Sequence, residues 1–189
     1  MLQSVTGVVL AGGKSSRMRK NKALLPYLGK KLIDAPIEKM QGIFSRVVLS
    51  VKDPADYPEY SLLKIGDQYP QIGPIGGITS TLRSGIERAF FAACDMPFLN
   101  KALIEFICSF SDNDAVIPLW KGRPEVLHAV YSASLLQHFE EAIRAKRYRI
   151  TDAFDRVRVH YIEEEEIRRF DPSGNSFRNV NTPSDYEMI

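Results

Sequence analysis

The feature that most constrains the fold is a series of apolar runs too brief for helices. "TGVVLA" (residues 6–11), "RVVLSV" (46–51), "AFFAA" (89–93) and "DAVIP" (114–118) are rich in β-branched and aromatic residues. They lack the polar–apolar alternation of a strand with one wet face, so each reads as a strand buried on both sides. Two segments between or after them have apolar residues at helical spacing. Residues 32–44 carry Leu32, Ile33, Ile37, Met40 and Ile43, and residues 133–146 carry Leu135, Leu136, Phe139, Ala142 and Ile143. Asn100 is placed to cap another helix reaching about residue 110, and the glycines at 73, 76 and 77 precede one that opens over residues 78–82. "EVLHAVYS" (125–132) and "VRVHYI" (157–162) read as further strands. The glutamates at 163–166 favour the positive start of a short helix, and Thr182 with Pro183 starts a last one. Buried strands separated by helices predict an α/β protein with a mostly parallel sheet covered on both faces.

A chain of 189 residues fits one domain, residues 1–189, with a core that needs no staples. The net charge of +2 gives no reason to expect nucleic acid or an anionic membrane as partner. Two cysteines, Cys94 and Cys108, make no disulfide framework, and His128, His138 and His160 are scattered. No metal site built on sulfur or imidazole is therefore expected. The first residues lack the pattern of a signal peptide, and no apolar run approaches the length of a membrane span, so the expected location is the cytoplasm and the default state a monomer.

In parallel sheets of this kind ligands bind at the carboxyl ends of the strands. That rule selects the candidates. Gly12 and Gly13 follow the first strand, and "KSSRMRKNK" after them holds Lys14, Arg17, Arg19, Lys20 and Lys22 with no carboxylate. Bare backbone N–H groups suit anionic oxygens, Arg17 offers a planar fork and Lys22 a point charge. Spacing alone leaves open an ordinary glycine turn beside a solvated basic face. Neither the G-x-x-x-x-G-K-[ST] pattern nor a G-x-G-x-x-G after the first strand is present, which disfavours a P-loop enzyme or a dinucleotide dehydrogenase.

Asp95 directly follows "AFFAAC" and precedes Met96 and Pro97. A carboxylate there can hold Mg²⁺ in company with phosphate oxygens, or it can simply begin a turn. Asp67 opens a second glycine-rich loop, "DQYPQIGPIGG", and can accept from a base or ribose. Asn179 and Asn181 alternate in "NVNTP" and face one side, where amides suit a polar heterocycle or phosphate. Arg123, Pro124 and Glu125 form a weaker candidate at a hairpin. Tyr57, Tyr60, Trp120 and Tyr131 show no interleaving with basic residues and are assigned to core or rim.

Taken in order, "LAGGKSSRM" with Lys22, "DQYPQIGPIGG", "ACDMPFL", "GRPEVLHAVY" and "NVNTPSDYE" resemble the molybdenum cofactor guanylyltransferases of the nucleotidyltransferase family. The resemblance runs from Leu10 to Glu187. It implies one three-layer α/β/α, Rossmann-like domain and an enzyme that joins GMP from Mg–GTP to molybdopterin carrying molybdenum, releasing pyrophosphate. It further implies that Leu10, Ala11, Gly12 and Gly13 line the GTP site and that Lys22 contacts phosphates. Asp67 would bind the nucleotide, Asp95 would bind GTP and Mg²⁺, and Asn179 and Asn181 would lie toward the pterin. Lys22, Arg17 and Asp95 are the expected catalytic groups. Cofactor-delivery proteins and apo-molybdoenzymes are the implied protein partners. The chain departs from the family's "RMG-x-DK" in having Arg19 and Asn21, and it has Ser50 where the family often has asparagine at the end of the second strand. The competing expectations are a related transferase using CTP or a sugar phosphate, distinguishable by the loops over 62–82, and a nucleotide-binding protein without catalysis.

Overall fold

The computed structural model describes residues 1–12 and 22–180. Its sheet is built from β1 (Thr6–Leu10), β4 (Val47–Val51), β5 (Leu63–Gly66), β6 (Arg88–Ala93), β7 (Ala115–Trp120), β8 (Arg123–Pro124), β9 (His128–Ser132) and β10 (Val159–Ile162). A hairpin of β2 (Pro26–Tyr27) and β3 (Lys30–Lys31) stands apart from it. The strand order is β10-β7-β9-β6-β1-β4-β5, with β8 pairing β7. All pairs are parallel except those made by β9 with β6 and β7 and by β8 with β7. The mostly parallel sheet is therefore as the apolar runs predict, and β9 is the return strand that makes it mixed.

Side chains of successive residues leave opposite faces of a strand, and the chain uses this to build two cores. Val9, Leu49, Phe90, Ala92, Val116 and Val130 pack on one face, under α1 (Asp34–Gln41), α3 (Lys101–Cys108) and α5 (Glu164–Arg168). Val8, Val48, Ala89, Phe91, Ala115 and Tyr131 pack on the other, under α2 (Pro74–Arg83) and α4 (Leu136–Arg144). Central strands are consequently apolar along most of their length, and β4 is buried at every position, Ser50 included. No helix among the described residues is long and apolar enough to cross a membrane.

The structure adjusts several boundaries, each for a local reason. The helix expected at 78 starts at Pro74, because Gly73 takes a left-handed turn (φ 87°) and proline at the first helical position needs no N–H partner. Gly76 and Gly77 thus lie inside the helix. The strand expected over 125–132 begins at His128, since the preceding residues turn and His128 N–H donates to the Glu125 carbonyl. The helix expected over 133–146 is a single tight turn, Ala133–Leu135, followed by α4. The expected cap at Asn100 is present: its side chain accepts from Leu103 N–H at 3.0 Å. β5 carries no clear strand pattern in the sequence, because it is an edge strand with Leu63 exposed. The helix expected after Thr182 lies outside the described residues.

Candidate functional site

Adjacent strand ends bring most of the candidates to one edge of the sheet. Leu10 stands in register with Ser50 of β4 and Ala93 of β6. Ala11 N–H donates to the Ser50 carbonyl at 2.8 Å, and Cys94 N–H donates to the Leu10 carbonyl at 3.1 Å. The chain segments bearing Gly12 and Asp95 therefore leave the sheet side by side. Gly12 passes so close to β4 that a Cβ there would sit 3.3 Å from the backbone of Val51 and Lys52. The Ala11 carbonyl accepts from the buried Tyr57 hydroxyl at 3.0 Å. A planar trans peptide directs C=O and N–H oppositely, so this bond also fixes the direction of the Gly12 N–H.

Lys22 opens a single tight turn, Lys22–Leu24. Burial of Ala23 anchors that turn, as does the bond from Ile33 N–H to the Ala23 carbonyl at 3.0 Å. From there Lys22 Nζ reaches Asp95 Oδ2 at 2.6 Å, with both side chains largely buried. The other oxygen, Asp95 Oδ1, is buried and has no hydrogen-bond partner among the described residues. An unsatisfied buried carboxylate oxygen costs about 1–3 kcal/mol or more. The backbone at Asp95 is held from the other side by Val180 N–H, which donates to its carbonyl at 2.9 Å.

Asp67 closes the far end of the row. Its N–H donates to the Val51 carbonyl at 2.8 Å, continuing the ladder beyond β5. Oδ1 accepts from Tyr69 N–H at 2.8 Å and from Ser80 Oγ at 3.3 Å. The first turn of α2 packs directly on this carboxylate. A Cβ on Gly76 would fall 2.6 Å from the Tyr69 carbonyl oxygen and 2.9 Å from Asp67 Oδ1. A Cβ on Gly77 would fall 2.7 Å from Ser50 Oγ. The two glycines thus let a helix start touch the strand ends. Ser50 is buried, and its hydroxyl points to the Gly77 carbonyl at 3.4 Å.

Leu10, Ala11, Gly12, Lys22, Ser50, Asp67 and Asp95 are accordingly gathered along one sheet edge. Asn179 is exposed and adjoins the Val180–Asp95 bond. Gly13, Arg17, Arg19, Asn21 and Asn181 lie outside the described residues. Tyr57, Trp120 and Tyr131 are buried, as assigned, and Tyr60 packs against the core. The Tyr57 contact is the one sequence reasoning missed. The proline-rich turn "DPADYPEY" carries no hint of it, since Tyr57 reaches the site through a left-handed backbone (φ 60°).

His128 is sealed in the core between the edges of Phe90 and Phe177, at ring separations of 5.0 and 5.1 Å. Burial drives its pKa down to about 3, against a weaker pull from Asp171. It is thus neutral and has no access to the strand-end site. Burial also pushes the Cys94 thiol up to about 12, so it is no thiolate nucleophile. Among the described residues no group of three or more His, Cys, Asp or Glu could hold a metal ion alone. The bare Gly12 backbone, one paired lysine and one half-satisfied aspartate instead suit a cation whose remaining ligands come from a polyphosphate and water.

These features define an α/β protein with a polar site across the carboxyl ends of β5, β4, β1 and β6, the class to which nucleotide-handling enzymes belong. The profile of the MobA-like NTP transferase domain matches residues 7–159. A probable molybdenum cofactor guanylyltransferase of Carboxydothermus hydrogenoformans is 33% identical over 190 aligned positions, covering 100% of this chain and 96% of its own. A molybdenum cofactor guanylyltransferase of Desulfosudis oleivorans is 34% identical, with 98% and 94% covered. The crystal structure of molybdopterin-guanine dinucleotide biosynthesis protein A from Archaeoglobus fulgidus is 31% identical and superposes with a TM-score of 0.85, covering 97% of this chain and 96% of that one. The chain belongs to the MobA-like NTP transferase family.

Proposed function

We propose that the protein transfers GMP from Mg–GTP to molybdenum-bearing molybdopterin, forming the guanine dinucleotide form of the cofactor and releasing pyrophosphate. The single observation that carries this reading is the Lys22–Asp95 pair, one carboxylate oxygen taken at 2.6 Å and the other buried without a partner among the described residues. The names of the relatives supply the substrates, and their similarity spans nearly the whole chain.

In this reading the nucleotide lies along the strand ends with its nucleoside beside Asp67 and its phosphates over Gly12 and Asp95. Leu10, Ala11 and Gly12 line it through their backbone, with Gly13, and Ser50 holds the start of α2 beneath it. The terminal phosphate of the pterin attacks the α-phosphorus in line. A P–O bond forms to the acceptor, the bond to the β-phosphate oxygen breaks, and the electron pair leaves on pyrophosphate. The attacking phosphate is already an anion and needs no general base, consistent with a neutral, sequestered His128. The chain's task is placement and charge stabilisation. Asp95 Oδ1 fits Mg²⁺, which when bound supplies positive charge against the triphosphate. Lys22, Arg17 and the amides of Gly12 and Gly13 stabilise the departing pyrophosphate. Asn179, and Asn181 by its place in the sequence motif, are assigned to the pterin.

Incubation with GTP, Mg²⁺ and molybdenum-loaded molybdopterin, followed by mass analysis, should give the guanine dinucleotide product. A product formed from CTP in preference to GTP would overturn the guanine assignment. Asp95→Asn should remove metal-dependent turnover, by about a hundredfold to a thousandfold, while the circular dichroism spectrum stays unchanged. A normal response of that variant to Mg²⁺ would place the metal elsewhere.

A further inference from the structure

The hairpin candidate around Glu125 has no part in the function proposed above. It occupies a defined place. Ala92 of β6 pairs with His128 of the antiparallel β9. Asp95 lies three residues after the first of these and Glu125 three residues before the second, so both leave the sheet at the same edge, on neighbouring strands. Across the sheet the order is β5, β4, β1, β6 and then β9. Asp67, the Leu10–Gly12 backbone and Asp95 thus follow one another, and Glu125 comes next, on the side of Asp95 away from Asp67. A nucleotide stretched from Asp67 to Asp95 leaves that side for whatever receives the nucleotidyl group.

The backbone around Glu125 is fixed. Its N–H donates to the Pro118 carbonyl at 2.8 Å, its carbonyl accepts from His128 N–H at 2.9 Å, and the Val126 carbonyl accepts from the Tyr131 hydroxyl at 2.8 Å. The carboxylate itself is half-buried and makes no hydrogen bond or ion pair among the described residues. Burial raises its pKa, and nearby Arg123 only partly offsets this. A half-buried, unpaired carboxylate on a fixed turn is costly unless a ligand supplies donors.

The acceptor chemistry supplies such donors. A pterin carries two parallel N–H groups on its pyrimidine edge, from N3 and the 2-amino group. They match a carboxylate's two oxygens as a guanidinium does. We propose that Glu125 is a substrate-binding residue that accepts both hydrogen bonds from the 2-amino-4-oxo edge of the pterin and so orients the acceptor toward the α-phosphorus. The proposal rests on the acceptor being a pterin, as in the function proposed above.

Glu125→Gln tests it. Gln can accept from N3–H but presents an amide N–H₂ to the 2-amino group. With saturating GTP, KM for molybdopterin should rise about tenfold to a hundredfold, with kcat within about twofold, with GTP affinity unchanged and with a melting temperature no lower than the wild type's. Fluorescence titration in the presence of GTP gives a second readout. The wild type should bind 6-hydroxymethylpterin over 6-hydroxymethyllumazine, whose 2-oxo group replaces the amine, and Glu125→Gln should lose or reverse that preference. An unaltered KM, no pterin preference in the wild type, or a matching loss of GTP affinity would overturn the assignment. Absence of any guanine dinucleotide from the wild type would instead refute the proposed function.

Discussion

Replacing His128 with leucine removes a titrating group from the core and should change how stability depends on pH. In the folded protein the imidazole is fully buried against Phe90 and Phe177, and its pKa falls to about 3. In the unfolded chain it returns to the ordinary value of about 6.5. Between those values the unfolded state binds a proton that the folded state refuses. Stability therefore rises with pH through this window, is fully present above about pH 6.5 and is lost as pH falls. Each pH unit is worth about 1.36 kcal/mol, so by pH 5 the wild type should have lost about 2 kcal/mol through this residue alone. That is a large share of a typical stability of about 5–15 kcal/mol and corresponds to roughly 4–8 °C in Tm for a chain of this size. The leucine variant lacks the term, while other acid-sensitive groups act equally in both proteins. Urea unfolding at pH 5 and pH 7 measures it: the stability difference between variant and wild type should shift by about 2 kcal/mol in favour of leucine at the lower pH. Parallel profiles with equal m-values would refute the reasoning and mean that the imidazole accepts a proton without leaving the core.

Three further substitutions probe the strand-end site. Lys22→Ala removes the cation paired with Asp95 and should slow pyrophosphate release about a hundredfold or more, the usual effect of one preorganised electrostatic contact; steady-state kinetics checks it. Gly76→Ala sets a Cβ 2.6 Å from the Tyr69 carbonyl and 2.9 Å from Asp67 Oδ1, so it should lower stability by about 1–3 kcal/mol and weaken GTP at least tenfold by roughly the logic of a displaced contact, read by calorimetry. Tyr57→Phe keeps the ring and deletes only the hydroxyl that holds the Ala11 carbonyl at 3.0 Å. GTP affinity should fall about fivefold, the worth of one net hydrogen bond of about 1 kcal/mol, with little change in kcat.

The parallel framework was legible because burial on two faces leaves a direct mark: β1, β4, β6 and β7 have no polar alternation to blur them. Short pairings left a fainter one. β2, β3 and β8 are two residues each, and their two-residue turns place left-handed Leu28 (φ 46°) and Lys121 (φ 50°) ahead of left-handed Gly29 (φ 78°) and Gly122 (φ 71°), so the first turn position lacks the usual asparagine, aspartate or glycine. The direction of β9 was also out of reach, since an apolar strand reads alike whether it runs up or down. Gly76 and Gly77 look like loop punctuation in sequence, yet they lie inside α2 because the helix must approach Asp67 and Ser50 more closely than any Cβ permits.

For the site, the strand-end rule located residues that follow a strand in sequence, such as Asp95 after β6. It could not say that Lys22, 73 positions earlier, would meet that carboxylate at 2.6 Å. Nor could it order the candidates across the sheet, because order depends on which strands become neighbours. That order carries the chemical argument. With β1 beside β6 and β6 beside β9, the strand ends present Asp67 first, the bare backbone of Gly12 next, then Asp95 with its buried oxygen that has no partner among the described residues, and beyond it Glu125. An in-line transfer needs the attacking phosphate and the departing pyrophosphate on opposite sides of the α-phosphorus, and groups spread along the strand ends can hold both substrates for it without any residue being catalytic in the acid–base sense. The same geometry requires that defects at the two ends separate kinetically. Damage near Asp67 should raise KM for the nucleotide alone, and damage at Glu125 should raise KM for the acceptor alone. A substitution at either end that raised both equally would mean that the two substrates do not lie end to end across the sheet.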